Sequence, residues 1–204
     1  MTGRACVRGP AYCRIPVYRI DDDGRTRVSF EDFETPEQKT AYTARLALED
    51  APAVRALAEQ IVQGIDDPVL RLAALHNWRA AHIRYHLEPR ENFDSPLHLL
   101  AVGVGDCEDF AALGGALAVA LGYRFALPTC GGTRASPSHQ SLWVCADPDA
   151  YDDVGQVPEW GELAALSPPP GWYWSDTTPP AFPFDARGCA AFGEHPLAAA
   201  ARLR

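Results

Sequence analysis

Apolar and polar positions change rhythm several times along the chain, and each change marks an element. Around the acidic turn Asp21-Asp22-Asp23-Gly24, the runs VYRI and RTRVSF read as two strands of a hairpin that turns at Asp23-Gly24. Thr35-Pro36-Glu37 offers a helix start, but TAYTARLAL alternates, so Thr40 to Leu48 reads equally as helix or strand. From Asp50 the period is clearly helical. Asp50 is expected to cap, Pro52 suits a first turn, Val54, Leu57, Ala58, Ile61 and Val62 form one stripe, and Gly64 stops it. Asp67-Pro68 opens a second helix whose apolar set Val69, Leu72, Ala73 and Leu75 runs towards Trp78, with an end expected near Ile83 or Arg84.

The stretch GDCEDFAALGGALAVALGY, Gly105 to Tyr123, predicts a helix that is apolar nearly all round. Asp106 is a natural N-cap, Glu108 and Asp109 suit the first turn, and Gly122 supplies a left-handed stop after Leu121. Cys107 then stands at the first helical position. Unpaired backbone N–H groups and the positive end of the helix dipole favour a thiolate there, and such sites lower a cysteine pKa from about 8.5 to roughly 3.5–7.5. Glu108 and Asp109 oppose this by like-charge repulsion, so a reactive thiol needs a basic partner. Phe110, Leu113, Leu117 and Leu121 make the apolar seam, while glycine and alanine leave the other faces almost bare. Gly114 and Gly115 cost about 1 kcal/mol each in helix propensity, which predicts that a sheet approaches closely.

Two later runs offer the basic partner. HQSLWVCA, His139 to Ala146, alternates as a strand, with His139, Ser141, Trp143 and Cys145 on one face. GWYWSDTT, Gly171 to Thr178, reads as another, with Trp172, Trp174 and Asp176 on one face. Antiparallel pairing sets the start of one strand beside the end of the other. His139 and Asp176 then become neighbours at one sheet edge, and a helix N-terminus over that edge completes a Cys107, His139, Asp176 line.

GDCEDFAAL, SHQSLWV and WYWSDTTPP together resemble the transglutaminase-like superfamily, the papain-related thiol acyl-transfer enzymes, and especially its small bacterial and phage members. The upstream IRYH and SPLHLL are similar to the approach to the cysteine in that group. The resemblance covers roughly Ala53 to Pro180. It implies an α+β, papain-like core in which the helix carrying the cysteine packs on an antiparallel sheet. Carried over to this chain, Cys107 is the nucleophile, His139 the general base and acid, and Asp176 the group that orients the imidazole. The backbone N–H of Cys107 is one natural oxyanion donor. Asn77, Trp78, Tyr85 and Asn92 are upstream candidates for a second. The expected substrate is a protein or peptide amide, cleaved or transferred through an acyl-enzyme, and the choice between water and an amine as acceptor stays open. A catalytically idle binding or structural module, such as a component of a phage particle, is the alternative.

The remaining features narrow the picture. A chain of 204 residues, 47% of them hydrophobic, suits one domain with additions. The expected division is an arm with a hairpin over 1–50, the catalytic domain over 51–185 with an insertion at 147–170, and a tail over 186–204. The insertion is long enough to be a lid or substrate-binding loop. Trp160 within it, with Trp172 and Trp174, are candidates for the cleft, although the last two suit the core better. A net charge of −9 disfavours nucleic acid and anionic membranes as partners. With no long apolar run and no signal-like N-terminus, a soluble cytoplasmic product is expected, a description that also suits a phage protein released by lysis.

The six cysteines, irregularly spaced, are expected to be reduced, with Cys145 a small core residue. His82 and His86 are four apart but straddle an expected helix end, and His76 and His98 read as packed residues. Zinc held by Cys107, His139 and Asp176 would lack a fourth ligand and the usual close cysteine pairs, so neither metal nor cofactor is expected.

Overall fold

The computed structural model describes residues 13–88, 91–130, 139–146 and 171–175. The expected hairpin forms from β1 (Cys13–Ile20) and β2 (Thr26–Phe33), paired antiparallel from Cys13↔Phe33 to Ile20↔Thr26. Asp21 organises its turn: one carboxylate oxygen accepts from the Asp23 and Arg25 N–H groups at 3.0 and 2.9 Å, and the other meets Arg27 at 2.8 Å.

The ambiguous stretch and the expected helix after it are one element, α1 (Pro36–Ile61). Thr35 caps it, accepting from the Gln38 N–H at 3.2 Å, while the Gln38 side chain accepts from the Glu34 and Thr35 N–H groups. The alternation in TAYTARLAL misleads because burial follows the helical step. Tyr42, Leu46, Ala47, Val54 and Ala58 are buried, whereas Leu48, which a strand would place with Leu46, is exposed. Asp50 does not cap α1. Its carboxylate accepts from the Leu97 N–H at 3.0 Å, in the first turn of another helix. Pro52 lies inside α1, which runs unbroken through the division expected after position 50.

Helix α2 (Pro68–His82) begins as expected, the Asp67 carboxylate accepting from Val69 and Leu70 N–H at 2.9 and 3.0 Å. It ends before Ile83, so the helix does break between His82 and His86. Two short strands, β3 (Arg84–Tyr85) and β4 (Phe93–Asp94), and a short helix, α3 (Pro96–Val102), lead on to β5 (Val104–Gly105). Strand β4 joins the hairpin through parallel pairs Val17↔Phe93 and Tyr18↔Asp94, and β3 pairs with β5. The hairpin is thus tied to the segment that precedes the cysteine. A small core of Ile15, Val17, Phe33, Tyr42, Leu46 and Phe93 lies beneath it.

Helix α4 (Cys107–Ala120) is the axis of the main core, and its side chains from Glu108 to Ala118 are buried. Gly122, with φ 85°, follows its end as expected. The sheet on one side is β10-β9-β6, built from β6 (Arg124–Ala126), β9 (Trp143–Cys145) and β10 (Trp172–Trp174). The two glycines allow close approach, but from both layers rather than from a sheet alone. A Cβ on Gly114 would stand 2.6 Å from the Arg79 guanidinium carbon and 2.5 Å from Leu142, and one on Gly115 would stand 3.2 Å from Ala47 of α1 and 3.1 Å from Phe125 of β6.

The run from His139 to Ala146 is two strands, not one. β8 (His139–Gln140) pairs with β7 (Thr129–Cys130), while β9 pairs with β6 and β10. Residues 139–146 are buried throughout, so the alternation marks no outer face. The antiparallel pairing expected between the two later strands does form, from Trp172↔Cys145 to Trp174↔Trp143, and the Ser175 N–H continues it to the Leu142 carbonyl at 2.7 Å. Among the described residues no helix is long and apolar enough to cross a membrane.

Candidate active site

The N-terminus of α4 is built by carboxylates that fold back on the backbone. One oxygen of Asp109 accepts from the Asp106 N–H at 3.2 Å and the other from the Asp94 N–H at 2.8 Å. Asp109 thereby ties the helix start to β4 and the hairpin. This return requires the preceding glycine, since a Cβ on Gly105 would lie 2.7 Å from both Asp109 and Leu99. Asp94 meets His98 of α3 at 3.1 Å, and the His98 ring stacks on Tyr18 at 5.4 Å. His98 is buried, as expected of a packed residue, and Asp94 is buried with it.

Cys107 occupies the first helical position, partly buried, and its thiol is free. The sulfur donates to Glu108 at 3.0 Å. Burial, then the charges of Glu108 and Asp106, push the thiol well above its ordinary range, and the Gln140 main chain hydrogen-bonded to the sulfur acts the other way. The helix dipole therefore does not win, and Cys107 rests as a thiol rather than a thiolate. The same crowding raises neighbouring carboxyls. Burial and the charges of Glu108 and Asp109 push Asp106 up to about 12, and Glu88, half-buried nearby, is raised to about 7 chiefly by desolvation.

A small pocket lies against the cysteine, lined by Arg79, Cys107, Phe110, Ala111, Gln140, Ser141, Leu142 and Ser175. Its room for the centre of a water-sized sphere is about 10 Å³, enough for a single oxygen atom or water. Arg79, one of the lining residues, is fully buried. The guanidinium donates to the Phe110 carbonyl in the first turn of α4 at 2.7 Å and to the carbonyl and hydroxyl of Ser175 beyond β10. His76, one turn earlier on α2, also meets the Ser175 hydroxyl, at 3.2 Å. Sequence patterning contained a signal for Arg79: with Leu72, Leu75 and His76 it falls on the apolar stripe of α2, where an arginine has to find partners inside the protein.

The structure brings Cys107 together with β8 through Gln140. His139, next in the chain, is buried at the start of that strand and does not line the pocket. Asp176 and Trp160 lie outside the described residues. Trp172 and Trp174 are buried in β10, as core rather than cleft. None of the four upstream oxyanion candidates lines the pocket. Asn77 is exposed, Trp78 stacks on His82 at 4.4 Å, Tyr85 packs on Phe110 at 5.9 Å, and Asn92 hydrogen-bonds with Glu88 and Asp94.

Of the other thiols, Cys145 is free and buried, as expected of a core residue. Among the described residues one group could share a metal ion: ligand atoms of Asp106, Cys107 and Glu108 lie within 4.8 Å of one another. They sit at the positive end of the α4 dipole, which disfavours a cation.

Residues 55–145 match the model of the transglutaminase-like superfamily, a span that includes Cys107 and His139 and stops before β10. No curated protein matches the chain. Among solved structures, the chain is similar to a "putative cysteine protease" from Cytophaga hutchinsonii, at 13% identity and a TM-score of 0.45 over 81% of this chain. It spans 62% of that chain's length. From the second half of α1 to the end of β9, the protein is therefore similar to the transglutaminase-like superfamily.

Proposed function

We propose that the protein is a thiol-dependent acyl-transfer enzyme, with Cys107 as nucleophile and His139 as base, acting on a protein or peptide amide as a peptidase or amidase. The observation that carries this is the placement of Cys107. It stands at the first position of an enclosed helix, its sulfur against the strand that His139 begins. A resting thiol favours one form of the mechanism. His139 accepts the proton as the sulfur attacks, rather than holding a standing ion pair. The carbonyl electrons move to oxygen, the tetrahedral intermediate collapses to an acyl-enzyme, the protonated imidazole gives its proton to the leaving amine, and water or an amine then takes the acyl group. Asp176, which follows Ser175 directly in the chain, is assigned the role of orienting the imidazole.

Profiling a peptide-amide library with the wild type and with Cys107→Ala tests this. Turnover of a subset of amides by the wild type alone is expected, and equal turnover by both would overturn it. A second reading, an idle module that serves a structural or binding role in a phage particle or elsewhere, draws on the hydrogen bond from Cys107 to Glu108 and on the absence of His139 from the pocket lining. It predicts a folded protein that turns over no amide in the library.

A further inference from the structure

The pocket beside Cys107 has room for one oxygen atom, and its walls differ in what they can offer that atom. The Arg79 guanidinium is committed to Phe110 and Ser175. The Ser141 hydroxyl is directed to the Pro128 carbonyl at 3.5 Å. Gln140 is different. The residue is 8% exposed, and its side-chain amide nitrogen is sealed from solvent with no hydrogen-bond partner. A buried amide donor left without an acceptor costs about 1–3 kcal/mol. Such a group is explained when a ligand supplies the missing acceptor.

We infer that the Gln140 side-chain amide is an oxyanion donor, completing with the Cys107 backbone N–H the site in which the tetrahedral oxygen is held. This rests on the thiol acyl-transfer reading, and it moves the second donor from the segment upstream of the cysteine to the strand downstream. As sulfur attacks an acyl carbon, the S–C bond forms, the carbonyl π pair moves onto oxygen, and the thiol proton passes to His139. Gln140 gives up no proton; it donates a hydrogen bond to the oxygen whose charge has grown. Donors of this kind are worth about 10²–10³ in kcat when removed.

The probe is p-nitrophenyl acetate, which leaves an acetyl group on sulfur and releases p-nitrophenolate through a tetrahedral oxyanion. Iodoacetamide is the control, because it alkylates sulfur by displacement of iodide and forms no oxyanion. Gln140→Met, of similar volume, and Gln140→Glu, which places an acceptor where the donor was, are compared with the wild type and Cys107→Ala. The expected result is a loss of Cys107-dependent acetylation of at least about tenfold in both Gln140 variants, with Gln140→Met alkylated at Cys107 at the wild-type rate. Acetylation of Gln140→Met at the wild-type rate overturns the inference while leaving the enzyme reading intact. A parallel fall in acetylation and alkylation also overturns it, because a general disturbance of Cys107 then accounts for the loss. Acetylation that does not depend on Cys107 overturns the enzyme reading and the inference with it.

Discussion

The Cys107 thiol donates a hydrogen bond to the carboxylate of the next residue, Glu108, across 3.0 Å. The nucleophile proposed for this site is therefore silenced by its own neighbour until a base draws the proton away. Glu108 contributes both an acceptor for the proton and a charge that repels a thiolate.

Replacing Glu108 with Gln removes the charge and keeps the shape. The Cys107 pKa should fall, and iodoacetamide labelling of Cys107 near neutral pH should rise by about tenfold for each unit of the fall. Peptide mapping of the labelled cysteine checks this. An unchanged labelling rate would mean that burial alone sets the thiol's protonation.

Arg79 should matter more to stability than any exposed ion pair. Replacement by Met leaves the Phe110 carbonyl and Ser175 without their buried donor, an expected loss of about 2–5 kcal/mol in urea unfolding. The exposed pair Arg55–Glu59, at 3.9 Å, should contribute less than about 1 kcal/mol.

The two helix glycines should respond differently to alanine. At Gly114 the new methyl meets Arg79 and Leu142 inside contact distance, so overpacking of about 1–3 kcal/mol should exceed the gain of about 1 kcal/mol in helix propensity. At Gly115 the neighbours stand at 3.1–3.2 Å and the two effects should nearly cancel. Thermal melts of both variants give the comparison.

Glu88, raised to about 7 from an ordinary 4.5, predicts a pH dependence of definite sign. Between those values the folded state holds a proton that the unfolded state has lost, so stability is fully present below about 4.5 and declines as pH rises through about 7. The raised Asp94, Asp106 and Asp109 act in the same direction. Glu88→Gln should flatten this decline, by about 1 kcal/mol after allowance for solvent screening of a half-buried group. Denaturant unfolding at a series of pH values measures it, and stability that rises from pH 5 to 8 would contradict it.

Much of the site's frame was legible because it is written locally. Asp106, Cys107 and Gly122 mark the two ends of one helix, where capping and stop signals act over a few residues. Asp50 shows the limit of that logic: its capping chemistry is spent on the N-terminus of α3, 47 residues away. Arg79 and Ser175 meet across 96 residues, a contact that no local pattern encodes. The break between β8 and β9 was hidden because both faces of residues 139–146 are buried, so apolar alternation there carries no information about sheet membership. At Cys107 the sequence shows the helix dipole favouring a thiolate and Glu108 and Asp109 opposing it, which leaves the balance to a partner elsewhere in the fold. The opposition from Glu108 is present, but burial exceeds it and Asp106 adds to it, effects whose size depends on packing that a sequence does not display.

The central proposition is that Cys107 is the reactive sulfur and His139 its base. Locating the acetyl group by peptide mapping after brief exposure to p-nitrophenyl acetate near neutral pH, in the wild type and in His139→Ala, tests it most directly. The predicted result is acetylation at Cys107 in preference to the other cysteines, lost when His139 is replaced. Acetyl groups scattered over the thiols, or a Cys107 adduct that forms equally fast without the imidazole, would contradict it.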